Sequence, residues 1–110
     1  MNDNIMKQFK KGILEIVVLK MLSKNEMYGY ELVSELNRQG KSFNIKEGTL
    51  YPILYRLEDE GLMKTRWEQS TSRGQPKKFY CVTEKGLQAM EEAYSQWKEI
   101  AEDIKRIMEG

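Results

Sequence analysis

Apolar side chains recur with a period near 3.6 through the first part of the chain. Met6, Phe9, Ile13, Ile16 and Val17 form one stripe, which predicts a helix from about Ile5 to Leu22. Past Ile13 that segment is apolar nearly all round, so it is expected to touch more than its own small domain. Lys24-Asn25-Glu26 breaks the pattern as a turn. A second helix is predicted from Tyr28 to Gln39, with Tyr28, Leu32, Val33 and Leu36 on one face. Gly40 fits a left-handed stop. In the polar link that follows, Phe43 and Ile45 read as anchors. Leu50, Ile53, Leu54 and Leu57 give a third helix its buried face, and Glu60-Gly61 ends it. Pro52 is poorly tolerated deep inside a helix, so Thr49 is expected as N-cap with Lys46 to Gly48 in a looser preceding turn.

The period then changes to two. Met63, Thr65 and Trp67 alternate with Lys64, Arg66 and Glu68, and later Phe79 and Cys81 alternate with Tyr80 and Val82. A polar loop, Gln69 to Pro76, separates the runs, so a two-stranded hairpin with a basic tip is expected. Thr83 is a good N-cap for a last helix reaching about Met108, with Glu84 near its positive end. Leu87, Met90, Tyr94, Trp97, Ala101, Ile104 and Met108 are spaced alternately three and four apart, the seam of a coiled coil. Such a stripe on a small domain calls for a partner, and a second copy of the chain is the simplest one.

The order helix, helix, helix, hairpin, long helix is that of a winged helix-turn-helix. The expected fold is therefore mainly α: three helices plus a two-stranded β wing in residues 1–83, and a dimerisation helix in residues 84–110. In such a unit the third helix enters the major groove of DNA and the wing follows the backbone. Lys46, Thr49, Tyr51 and Arg56 on the third helix can donate hydrogen bonds to phosphates or base edges. Tyr55, one turn beyond Tyr51, is open between helix packing and that exposed face. Tyr28 and Tyr30 at the start of the second helix are open between core packing and a phosphate contact, with Tyr30 the further phosphate candidate. Arg73, Lys77 and Lys78 flank the wing tip, and Gly74 lets the backbone come close.

Charge sharpens this picture. The whole chain carries only +1, with 18 basic and 17 acidic residues in 110. Residues 61–83 hold five basic side chains (Lys64, Arg66, Arg73, Lys77, Lys78) against Glu68, while residues 84–110 hold four against seven. The positive field is thus concentrated on the hairpin, where a polyanion is best held. There is no histidine, and Cys81 is the only cysteine. That excludes a Cys/His zinc site and a Ser/His/Asp triad within one chain, and no metal, cofactor or catalytic residue is expected. An internal disulfide is impossible, which leans towards a reducing compartment, and no segment approaches a membrane span. A cytoplasmic protein without a membrane partner is the expectation. Cys81 reads as a small side chain packed in a strand, and Glu58-Asp59-Glu60 as solvated carboxylates turned away from any polyanion.

Several strings are specific enough to carry a resemblance. Gly48-Thr49-Leu50-Tyr51-Pro52, then Leu54, Arg56-Leu57-Glu58 and Glu60-Gly61-Leu62, closely resemble the PadR family of bacterial transcriptional regulators. So do Tyr28-Gly29-Tyr30-Glu31-Leu32 and the Lys78-Phe79-Tyr80, Thr83, Gly86 series after the wing. The resemblance covers nearly the whole chain and is closest to the short members with a single C-terminal dimerisation helix. It implies a homodimeric repressor on a palindromic operator, its dimer built from the last helix and the partner's first helix. It also implies a possible small aromatic effector at the interface, with Trp97 in the position of a stacking tryptophan. Lys77-Lys78-Phe79-Tyr80 departs mildly from the Arg-Lys-Tyr-Tyr common in the family. The competing expectation is a winged-helix module that binds a protein through the same surface; its affinity would be nearly independent of salt.

Overall fold

The computed structural model describes residues 3–69 and 74–110. Helix α1 (Asp3–Lys24) leads through a short strand β1 (Met27–Tyr28) into α2 (Gly29–Gln39). Helix α3 (Glu47–Asp59), the hairpin β2 (Met63–Glu68) and β3 (Lys77–Val82), and α4 (Glu84–Glu109) follow. The winged helix-turn-helix with a long last helix is therefore present. One shared core of Leu14, Val18, Leu32, Leu36, Leu50 and Leu54 joins α1, α2 and α3.

Four local expectations are corrected. The sheet has three strands, not two: β1 pairs antiparallel with β3, Met27 opposite Tyr80 and Tyr28 opposite Phe79. Two residues are too few to show alternation, and their partners lie some fifty positions downstream, so no local pattern announces them. Helix α3 starts three residues early, with Lys46 rather than Thr49 as N-cap. Thr49 N–H and Leu50 N–H both donate to Lys46 C=O, at 3.0 and 3.1 Å. Pro52 is thus inside the helix; it removes the bond to Gly48 C=O, but Gly48 is exposed and water can take that carbonyl.

Gly40 is not left-handed; its φ is −129°. Its lack of a side chain serves another purpose, because the Phe43 ring occupies the place of a Cβ. Gly61 is the true left-handed stop, with φ +77°. There Gly61 N–H donates to Glu58 C=O and Leu62 N–H to Leu57 C=O, the paired bonds of a Schellman turn. Finally, the core face of α1 follows the stripe read from periodicity only in part, through Ile16 and Val17, which pack half-buried against the core. Leu14, Val18, Leu19, Met21 and Leu22 are buried, whereas Met6 and Phe9 are exposed. In a segment apolar nearly all round, periodicity alone does not distinguish the inner face from the outer one.

The start of α4 is locked to the end of α3. Thr83 Oγ1 accepts from Gly86 N–H at 3.0 Å and donates to Gly61 C=O at 2.8 Å. Lys85 Nζ donates to Glu60 C=O at 3.0 Å. These bonds satisfy carbonyls at the end of α3 that the helix leaves open and fix the direction in which α4 departs.

Candidate nucleic-acid interface

The first turn of α3 is open to solvent. Lys46, Glu47, Gly48 and Thr49 are all exposed, while Leu50, Ile53, Leu54 and Leu57 on the opposite face are buried. Tyr51, expected on the open face, is the more covered of the two tyrosines here. It is half-buried, with its ring and hydroxyl over Gly29, where any Cβ would collide with them. Tyr55 is 55% exposed and stacks on Tyr51 with ring centroids 6.2 Å apart.

Arg56 is turned towards the protein. Its guanidinium pairs with Glu15 of α1 and donates to Glu60 at 3.1 Å, so two carboxylates engage it although 45% of the side chain stays exposed. The carboxylate run is divided in the same way. Glu60 takes Arg56, while Glu58 accepts from Thr65 Oγ1 at 2.8 Å and faces Lys78 Nζ at 3.7 Å.

The wing register sets which side chains meet. Trp67 lies opposite Lys78, and Glu68 opposite Lys77. On the side facing the helices, Thr65 lies opposite Tyr80, which is buried. There Lys78 Nζ lies 5.5 Å from the Tyr80 ring and 5.8 Å from the Tyr55 ring. On the other side Lys77 Nζ sits 4.3 Å above the Tyr28 ring, and Tyr28 packs against Phe79 with centroids 5.7 Å apart. Between the start of α2, α3 and the wing lies a groove of about 430 Å³ walled by Tyr30, Tyr51, Tyr55, Trp67, Lys77 and Lys78. Tyr30 is 63% exposed at its mouth. Burial pushes the Tyr51 phenol up, with smaller effects from Glu47 and Tyr55. Burial, then Tyr55, Tyr51 and Glu58, pushes Tyr80 up to about 12. Both hydroxyls therefore remain protonated donors at neutral pH. Gly74 is exposed beside the tip, and Arg73 lies outside the described residues.

Cys81 is half-buried and belongs to the outer face of the sheet. Its thiol donates to Glu26 at 2.9 Å, and the same carboxylate pairs with Arg66, whose guanidinium covers Phe79 at 4.7 Å. Burial first, then the Glu26 carboxylate, pushes the thiol up, which disfavours the reactive thiolate.

A second surface lies on α4. Leu87 is half-buried and Met90 buried against the core, but the rest of the predicted seam is open. Tyr94, Trp97, Ile104 and Met108 are exposed, Ala101 is half-buried, and Ile100 and Ile107 widen the exposed strip. Tyr94 and Trp97 stack with centroids 6.1 Å apart and planes 12° from parallel. Tyr94 also borders an open groove of about 710 Å³ between α1, α2 and α4. Among the described residues no helix is long and apolar enough to cross a membrane, and no three His, Cys, Asp or Glu cluster as metal ligands.

The model of the Transcriptional regulator PadR-like family matches residues 18–92. This chain belongs to the PadR family. A transcriptional regulator of Mycobacterium tuberculosis is 32% identical over 99 residues, spanning 90% of this chain and 89% of that protein. The crystal structure of a PadR family transcriptional regulator from Eggerthella lenta superposes with a TM-score of 0.85 at 32% identity, covering 97% of this chain and 91% of the other. The negative transcriptional regulator PadR of Bacillus subtilis is 30% identical over 96 residues, 84% of this chain but 51% of its own length. The protein is a transcriptional regulator, not an enzyme.

Three side chains of this PadR-family regulator have places at the interface that the sequence leaves undecided or does not mark. Trp67 shows there only its place in the alternation with Met63 and Thr65, yet it is 67% exposed because the hairpin runs out beyond the helices. Tyr28 supports Lys77 from β1, a strand without a sequence signal. Tyr55, undecided between packing and exposure, lines the open groove. Proximity to the loop is the available clue for Trp67, since a strand's inward face loses its cover there.

Proposed function

We propose that this protein is a homodimeric repressor that binds double-stranded operator DNA. Residues 1–83 serve as the DNA-binding unit and residues 84–110 as the dimerisation helix. The observation that carries this reading is the meeting, on one face, of the open first turn of α3 with a tyrosine-walled groove flanked by Lys77 and Lys78. Lys46 and Thr49 enter the major groove. Lys77, Lys78, Tyr30 and the wing tip with Arg73 and Gly74 hold the flanking phosphates, and Tyr51 supports this surface from below. Arg56 serves chiefly to seat α3 on α1, given its two carboxylate partners.

The open strip on α4 and the exposed Ile5, Met6 and Phe9 on α1 supply the apolar surface that a second copy covers. Two-fold symmetry then makes the operator an inverted repeat with half-sites about one helical turn apart, or a multiple. A small aromatic effector stacking near Trp97 releases the DNA if it favours a dimer geometry with the wrong spacing. Repression agrees with the name of the Bacillus subtilis relative. Footprinting on the protein's own promoter tests the reading: two symmetric protected half-sites are expected, and absence of protection at low salt with an intact dimer contradicts it.

A further inference from the structure

The link between α2 and α3 is anchored in the core by the Ile45 side chain, and a side-chain clamp holds the backbone of the same residue. Asn37, on the last turns of α2, holds both backbone groups of a single residue in the link. Its Nδ2 donates to Ile45 C=O and its Oδ1 accepts from Ile45 N–H, each at 2.7 Å. Ile45 is buried and immediately precedes Lys46, the N-cap of α3. The chain reaches this position through Asn44, at φ +46°, a left-handed conformation that asparagine tolerates better than most residues. Lys10 Nζ of α1 donates to Phe43 C=O at 3.2 Å, and the Phe43 ring lies against Gly40.

The rest of α3 is held differently. Its roll is fixed by Leu50, Ile53, Leu54 and Leu57, all of which lie beyond the first turn. The first turn has no side-chain cap of its own, and its four leading residues are exposed. Helix ends fray unless their open groups are tied down. Asn37 supplies that tie from a neighbouring helix, through the one residue where the link becomes helix.

We infer that Asn37 is the positioning residue of the recognition surface: it sets where the first turn of α3 stands, and so which base edges Lys46 and Thr49 reach. This rests on the DNA-binding reading above. Asn37 touches no DNA itself; it acts through Ile45. The phosphate contacts at Lys77 and Lys78 lie on the wing and do not depend on it. Loss of the clamp therefore removes sequence discrimination while leaving general affinity for DNA.

The test uses the full-length protein and the variants Asn37→Ala and Asn37→Asp. Aspartate keeps the shape and the acceptor for Ile45 N–H but has no hydrogen to donate to Ile45 C=O when ionised. Binding is measured on the protein's own promoter fragment and on an unrelated duplex of equal length, across salt. Both variants are expected to lose about tenfold in the ratio of the two affinities, the scale of one or two hydrogen bonds. Affinity for the unrelated duplex and the salt slope should stay as in the wild type. An unchanged ratio, or an equal fall on both duplexes, overturns the inference. Amide hydrogen exchange without DNA separates this from failure of the DNA reading. Faster exchange confined to residues 41–50 in Asn37→Ala supports the clamp even if the wild type shows no operator preference, and unchanged exchange there defeats it.

Discussion

Arg56 of α3 pairs with Glu15 of α1 across the inner flank of the helix, and its other guanidinium nitrogen reaches Glu60. An arginine on a recognition helix is ordinarily the first candidate for a base or phosphate contact. Here its charge is already matched twice. Its stem and head tie α3 to α1 and to the end of its own helix.

Replacing Arg56 by alanine should accordingly leave DNA affinity within about threefold of the wild type, well under the 1–3 kcal/mol typical of a base-contacting arginine. The stability cost should be no more than about 1 kcal/mol, because the pair is partly exposed. Parallel DNA titrations and denaturant melts check both. A tenfold or greater loss of affinity with an unchanged melt would place Arg56 on the DNA.

The double substitution Lys77→Ala with Lys78→Ala should weaken binding to every duplex alike. Its salt slope should flatten by no more than about two, the value for two phosphates no longer neutralised. Lys78 sits 3.7 Å from Glu58, so part of its charge is already neutralised and its share should be the smaller of the two. Single variants measured across salt would show that order.

Trp97 is 42% exposed in the protomer and stacks on Tyr94. Trp97→Ala should leave the protomer fold intact but weaken self-association, by about 3 kcal/mol if the indole is buried between two copies. Sedimentation across a concentration series would read this directly. An unchanged dimer would assign the indole to a ligand or to solvent.

The outer face of the sheet carries a pH dependence of defined sign. The Arg66 guanidinium first, and the Cys81 thiol second, hold the Glu26 carboxyl down at about 2 against an ordinary 4.5. A carboxyl depressed in the folded state contributes stability that is complete above its unfolded pKa and lost as pH falls through the folded one. Glu26→Gln should therefore be less stable than the wild type at neutral pH, and the difference should close between about pH 4.5 and pH 2. The exposure of the pair keeps the effect small. Acid titrations of both proteins by circular dichroism provide the check, and a difference that persists at pH 2 would remove the ion pair from the account.

How much of this is legible in the sequence depends on the length scale of each signal. The elements come through where a period repeats, as along α4, or where a residue has one conformational use, as at Gly61 and Thr83. Short or non-local features do not. The strand Met27–Tyr28 exists only because β3 returns beside it, and Pro52 sits inside α3 because solvent is available at Gly48. At the site, Lys46, Thr49 and Lys77 are exposed as their sequence context suggests, since charge or helical phase decides that locally, and Tyr30, open between core and surface in the sequence, is exposed too. Arg56, though exposed, is also paired, and Tyr51 is half-buried, because Glu15 and Gly29 lie far off in sequence and only the fold brings them near. Asn37 gives no signal for the same reason: an asparagine on a helix shows no sign that its partner is the backbone eight residues on.

The most direct test of the central claim is fluorescence-detected binding to the protein's own promoter fragment, titrated across salt with the dimer verified at each point. Operator binding should be sequence-selective and should fall steeply as salt rises, the signature of counterions released from several phosphates. Binding that is absent at low salt, or indifferent to salt, would contradict DNA recognition and point to a winged-helix surface built for a protein partner.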